Sequence, residues 1–143
     1  VVWNQGTGEG DMRLKFFDTK IGKILELPFA GSAPLISVDG KRVFASVGKA
    51  PDRIVKMYET ETRKVTDLAR GPGNNLLATW RDPKTKIDWV YVNSSGDKNE
   101  KWDFAGGEAI YRFPVNRPQA RELFWDRTSS HIYLMFSADG TRA

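Results

Sequence analysis

The chain holds one histidine, His131, beside Ser129 and Ser130. A serine–histidine–acid relay needs an imidazole oriented by a carboxylate and facing the hydroxyl it activates, and adjacency in sequence is not that geometry. His131 therefore reads as a strand-start or surface residue. One histidine cannot hold zinc, and the lack of cysteine removes thiolate metal sites and disulfides together. Gly6-Thr7-Gly8-Glu9-Gly10-Asp11 has the glycines of a phosphate loop, but a strand follows rather than a helix N-terminus, and Glu9 and Asp11 would repel the anion. Asp97, Glu100 and Asp103 stand near Asn93 and Asn99, yet their spacing does not match a calcium loop. Neither a nucleophile–base pair nor a metal constellation can be assembled from these residues. No cofactor and no catalysis by the chain itself are expected.

What remains is contact chemistry. Trp102 sits among charged neighbours in a stretch where burial in a core is not required. Aromatic side chains beside arginine and lysine are the groups that anchor interfaces. Trp102 and Phe104, with Lys101 and Arg81, form the expected contact patch for a protein or peptide.

Composition bounds the partners. In 143 residues, 40% are hydrophobic, 12% aromatic and 28% charged, which suits one packed domain. The net charge of +4 is spread thinly, with Lys and Arg alternating with Asp and Glu. A nucleic-acid surface concentrates its charge on one face, so no nucleic acid is expected. No apolar run approaches the roughly 20 residues of a membrane span. The opening Val1-Val2-Trp3-Asn4-Gln5 is strand-like and lacks Met, and it predicts the interior of a longer protein or a processed product.

The elements that would carry these residues are strands. Short alternating runs are separated by Gly, Pro, Asp and Asn, and they predict strands at 1–4, 12–18, 24–29, 34–38, 42–47, 53–59, 64–69, 75–80, 87–93, 108–113, 120–125 and 131–137. The one helix-like window, 52–68, is broken by β-branched residues and reads better as a hairpin.

Self-similarity groups the strands. Residues 16–27, 57–68 and 112–123 align without gaps, each an aromatic strand end, a polar turn and a strand carrying an acid before leucine: Glu26-Leu27, Asp67-Leu68 and Glu122-Leu123. Acids that recur in register predict an architectural role, pairing with arginine or loop amides. A second repeat interleaves. Ser37-Val38-Asp39-Gly40-Lys41-Arg42 returns as Ser137-Ala138-Asp139-Gly140-Thr141-Arg142, and Trp80-Arg81-Asp82-Pro83 holds the place between in altered form. Asp-Gly is a tight-hairpin signal, because Gly tolerates positive φ. Leu27 and Leu68 lie 41 residues apart, and Leu68 and Leu123 lie 55 apart. The longer interval is accounted for by one insertion, 94–107. Pro114 falls at an interior strand position and predicts an outer edge.

A four-stranded unit of about 40–45 residues is the mark of a propeller blade. With the Ser-x-Asp-Gly-x-Arg hairpin at 37–42 and 137–142, the chain resembles the TolB-like and WD-repeat-like β-propellers of bacteria over nearly its whole length. The resemblance implies an all-β fold of β-propeller blades with four antiparallel strands, a half-ring or segment of a six- to eight-bladed propeller. The expected division is strands B–D of blade one at 1–30, blade two at 31–70, blade three at 71–127, and strand A of the next blade at 128–143. The missing strands at the two ends predict either a longer propeller or a second copy that closes the ring. The resemblance further implies a binding or scaffolding role, often in periplasmic or otherwise exported proteins. Its alternative is the gating propeller of a larger enzyme, such as a prolyl-oligopeptidase-type serine peptidase, with catalytic residues elsewhere.

Overall fold

A computed structural model describes residues 1–5, 12–49, 52–71, 75–95, 108–127 and 134. The regular structure among them is entirely strand: β1 (Val2–Gln5), β2 (Arg13–Asp18), β3 (Lys23–Ala30), β4 (Ser32–Ile36), β5 (Arg42–Val47), β6 (Ile54–Glu59), β7 (Val65–Arg70), β8 (Asn75–Arg81), β9 (Asp88–Ser95), β10 (Glu108–Pro114) and β11 (Glu122–Arg127). They form three antiparallel sheets that do not close into a barrel. Sheet 1 is β1-β2-β3, sheet 2 is β4-β5-β6-β7, and sheet 3 runs β8 to β11 in the same stepwise order. Apart from Leu134, the strand expected at 131–137 lies outside the described residues.

Period-two alternation decides which neighbour each side chain meets. In β5, Val43 and Ala45 turn toward sheet 1, where with Tyr58 of β6 they pack on Leu14, Phe16 and Leu27. Phe44 between them turns the other way, into a cluster with Val55, Met57 and Leu68 of sheet 2 and Leu76, Val90, Val92, Ala109, Tyr111 and Phe113 of sheet 3. Sheet 2 thus buries apolar residues on both sides, and Val43, Phe44 and Ala45 of β5 are consecutive core residues facing alternate ways. Burying a side chain such as Phe44 contributes about 2 kcal/mol. Each sheet has a forward face, toward the next sheet in chain order, and a backward face.

The sheets come close at Gly31, beside the Ser46 carbonyl, and at the Ser46 hydroxyl. Gly31 links β3 to β4, and its N–H donates to the Met12 carbonyl at 3.1 Å. The N–H of Leu76, entering β8, donates to the buried Ser46 hydroxyl of β5 at 2.9 Å.

The connections repeat as closely as the strands. Asp18 to Lys23, Glu59 to Lys64 and Asp82 to Ile87 each join two strands, and the residue before the last sits at positive φ in all three: Gly22 at +64°, Arg63 at +60° and Lys86 at +59°. Arg63 N–H donates to the Glu59 carbonyl and Lys86 N–H to that of Asp82, both at 2.8 Å. The Thr62 hydroxyl donates to the Glu59 carboxylate and Thr85 to that of Asp82. The altered stretch at Trp80–Pro83 therefore opens a turn of the same kind as these. A left-handed conformation disfavours any residue with a Cβ. Arg63→Gly is expected to stabilise the fold by about 1 kcal/mol, raising Tm by roughly 3 °C. A calorimetric melt showing a lower Tm would count against this account of the turn.

Pro114 is not on an outer edge. It is the last residue of β10, which lies between β9 and β11, and it falls beyond the last β11 pair, Arg112 with Glu122. Its missing N–H therefore removes no bond to that strand.

Candidate functional site

The expected contact patch divides. Lys101, Trp102 and Phe104 lie outside the described residues, as do His131 with its neighbouring serines, Gly6–Asp11, and the acids Asp97, Glu100 and Asp103. Arg81 is described, at the end of β8 where β9 begins. The segment 96–107 instead leaves from Ser95 at the far end of the eight-residue β9 and returns at Glu108. The structure does not bring Arg81 to the base of that segment.

Arg81 belongs to an ion-pair cluster between sheets 2 and 3. Ser37, buried at the end of β4, donates its hydroxyl to Asp39 at 2.7 Å and accepts the Arg42 N–H at 3.0 Å. The Asp39 carboxylate also accepts the Lys41 N–H, while Gly40 takes φ +70° to complete the turn. Arg42 then reaches across to Asp88 of β9, and Arg81 bonds Asp39 and lies 3.5 Å from Asp88. Asp88 is 3% exposed. Burial alone would raise the Asp39 pKa. The Ser37 hydroxyl, the Lys41 amide and the two guanidiniums outweigh burial and hold the carboxyl below its usual range. The Ser-x-Asp-Gly-x-Arg motif is thus a turn whose last residue clasps the next sheet. Among the described residues, no group of three or more His, Cys, Asp or Glu could hold a metal.

The recurring acids are paired, though not all alike. Glu26 pairs with Arg13 at 3.1 Å and Asp67 with Lys56. The third falls out of register. The connection from β10 to β11 is one residue longer than that from β6 to β7, which places Leu123 opposite Tyr111 in the position that Asp67 takes opposite Lys56, and the bulged residue Phe124 takes the place of the bulged Leu68. Glu122 therefore lies opposite Arg112 on the forward face and pairs with it there.

That forward face of sheet 3 was missed in the sequence. The Arg112 guanidinium sits 4.7 Å from the centroid of Trp89 and 5.2 Å from that of Phe124, and Tyr91 meets Phe124 edge-on at 5.0 Å. Burial raises the Tyr91 pKa, against the pull of Arg112. Only the register shows Trp89 and Phe124 sharing a face with a cation.

At the opposite end of the strands from the ion-pair cluster, Met12, Gly31, Ser32, Ser46, Gly48 and Arg53 line an open cavity of about 370 Å³ between sheets 1 and 2. The segment 96–107 leaves sheet 3 at this same end, because Asn75 at the start of β8 pairs with Asn93 near the end of β9. No family model matches the chain, and no curated protein matches it. Among the described residues no helix is long and apolar enough to cross a membrane.

Proposed function

We propose that this chain is a non-catalytic β-propeller segment that binds a protein or peptide at one end of its sheets. The observation that carries this reading is the repeated facing of the side chains. Leu14, Phe16 and Leu27 in sheet 1 correspond by register to Val55, Met57 and Leu68 in sheet 2, and to Ile110, Arg112 and Phe124 in sheet 3. The first two sets each pack against the following sheet, as blades around a common axis would. The described charged cluster supports a scaffold, since its members tie one turn to the next.

The proposed contact surface is the end that carries the cavity and the 96–107 segment, with Trp102, Phe104 and Lys101 as its anchors. Arg81, held by Asp39 and Asp88 at the other end, is left out of it. Panning a displayed peptide library against the chain tests this. Selected peptides are expected to bind a Trp102→Ala/Phe104→Ala variant at least tenfold more weakly, about 1.4 kcal/mol, as for hot-spot anchors. A library that yields no binder, or binders indifferent to the two changes, would sink the proposal.

A further inference from the structure

Charge that is spread thinly along the sequence is gathered by the fold. Five turns share the end of the sheets that holds the ion-pair cluster, at 18–23, 36–42, 59–65, 81–88 and 114–122, and all of their residues are described. They carry eleven Lys and Arg against seven Asp and Glu. The chain holds 22 and 18, so its whole net charge of +4 lies in these turns and the remainder is balanced. Sheets pack through their faces, and turns at strand ends project past those faces. The acids are occupied locally. Asp18 accepts the Lys20 N–H at 2.9 Å and Asp82 the Lys84 N–H at 2.8 Å, while Glu59 accepts the Thr62 hydroxyl. Asp39 and Asp88 belong to the clasp, Glu61 pairs with Lys20 and Lys41, and Glu122 with Arg112. The side chains of Lys23, Arg63, Lys64, Lys84, Lys86 and Arg117 are exposed and have no ion pair among the described residues.

We propose that this end of the sheets docks on an anionic lipid surface, with these cations meeting headgroup phosphates and Val38 entering between them. The cations come from turns of all three sheets. Packed sheets lie about 10 Å apart, so the array is roughly 20 Å wide and a small anion could meet only one or two of its members. A broad anionic surface meets them all, and each Lys or Arg brought to it adds to the attraction. Val38 supplies the second element. It stands at the tip of the hairpin between β4 and β5, in the middle sheet, and is 84% exposed. An aliphatic side chain ringed by cations suits the boundary between headgroups and acyl chains, where apolar burial and charge act together. Single-stranded nucleic acid asks instead for aromatic platforms on which bases stack. None of the five turns contains Phe, Tyr or Trp.

The test is co-sedimentation of the chain with vesicles of phosphatidylcholine alone, or of phosphatidylcholine with one third phosphatidylglycerol. Binding is expected to the second and not the first, and to fall as salt is added. Lys23→Gln/Lys64→Gln/Lys84→Gln, one change per sheet, is expected to weaken it at least about tenfold. Arg13→Gln/Lys49→Gln/Arg70→Gln takes the same charge from the opposite end of the sheets and is expected to change it less than about twofold. Val38→Ser is expected to weaken it roughly fivefold, through lost apolar burial. Circular dichroism of every variant is expected to match that of the unchanged chain. Equal binding to the two kinds of vesicle, or none to either, overturns the proposal. So does an equal loss in the two triple variants, which would reduce binding to net charge, or indifference to Val38→Ser. Tighter binding of duplex DNA or polyglutamate through the same three lysines overturns it too, and assigns this end to that partner. The peptide reading depends on Trp102 and Phe104 at the other end, so either result can fail alone.

Discussion

Replacing Asp88 with alanine is expected to lower the stability of the fold by about 3 kcal/mol, roughly 10 °C in Tm. The carboxylate is buried and faces two guanidiniums, Arg42 from β5 and Arg81 from β8. A buried ion pair has little net worth against an apolar substitute, because desolvation cancels most of the attraction. Removing one partner is different, since the remaining charges keep their desolvation cost and lose their compensation. Arg42 and Arg81 are each about 70% shielded, so the cost falls at the low end of that seen for fully buried pairs. Arg81 retains Asp39, which concentrates the loss at Arg42. Combining Asp88→Ala with Arg42→Met should recover part of the stability, and chemical denaturation of the two variants measures this coupling. A loss below about 1 kcal/mol for Asp88→Ala would mean that water reaches the pair and that the clasp between the sheets is weak.

The second large effect is expected at Gly31. A Cβ there would stand 2.8 Å from the Ser46 carbonyl oxygen, 3.2 Å from Val47 Cγ2 and 3.3 Å from Leu14 Cδ1. The nearest atom is backbone of β5, a strand paired on both sides, so it cannot swing away as a side chain would. Gly31→Ala is expected to destabilise by about 2–3 kcal/mol through overpacking. Ser46 also holds the amide of Leu76, so a shift at this point disturbs both interfaces of sheet 2. Gly40→Ala supplies the contrast. Its Cβ would meet nothing within 4 Å, and only the positive φ of +70° opposes it, at about 1 kcal/mol. Equal losses at the two positions would refute the close-approach account of Gly31.

The strands were legible because alternation is a strong signal in sheets packed on both sides. β5 spans 42–47 as the pattern predicts, and the other described strands differ from expectation by one or two residues at most ends. What gapless alignment could not see was a change of turn length. The connection from β10 to β11 is one residue longer than that from β6 to β7, which moves Leu123 into the position of Asp67, so the acid of the third repeat changes faces and pairs with Arg112. The turns were half legible. Gly22 announces a left-handed position, while Arg63 and Lys86 adopt the same φ behind side chains that give no hint of it. Asp88 was missed for a plainer reason. A lone acid at a strand start looks solvated until a residue 46 positions away is folded against it. The interface patch was the least legible part, since it joined Arg81 to Trp102 by composition, and a strand's length separates Arg81 from the point where that segment departs.

The stepwise strand order within each sheet also has a kinetic consequence. Every pair among the described strands joins neighbours in sequence, and no strand waits for a distant segment to return to it. Folding rates fall as contacts span longer stretches of chain, which is why most all-β folds are slow. Here the hydrogen-bonded ladders close over turns or, at the longest, over the 96–107 segment, and only the packing between sheets spans more than a few tens of residues. Each sheet can therefore complete its pairing before the next has been synthesised, and the sheet already formed offers its forward face as the template on which the next one condenses.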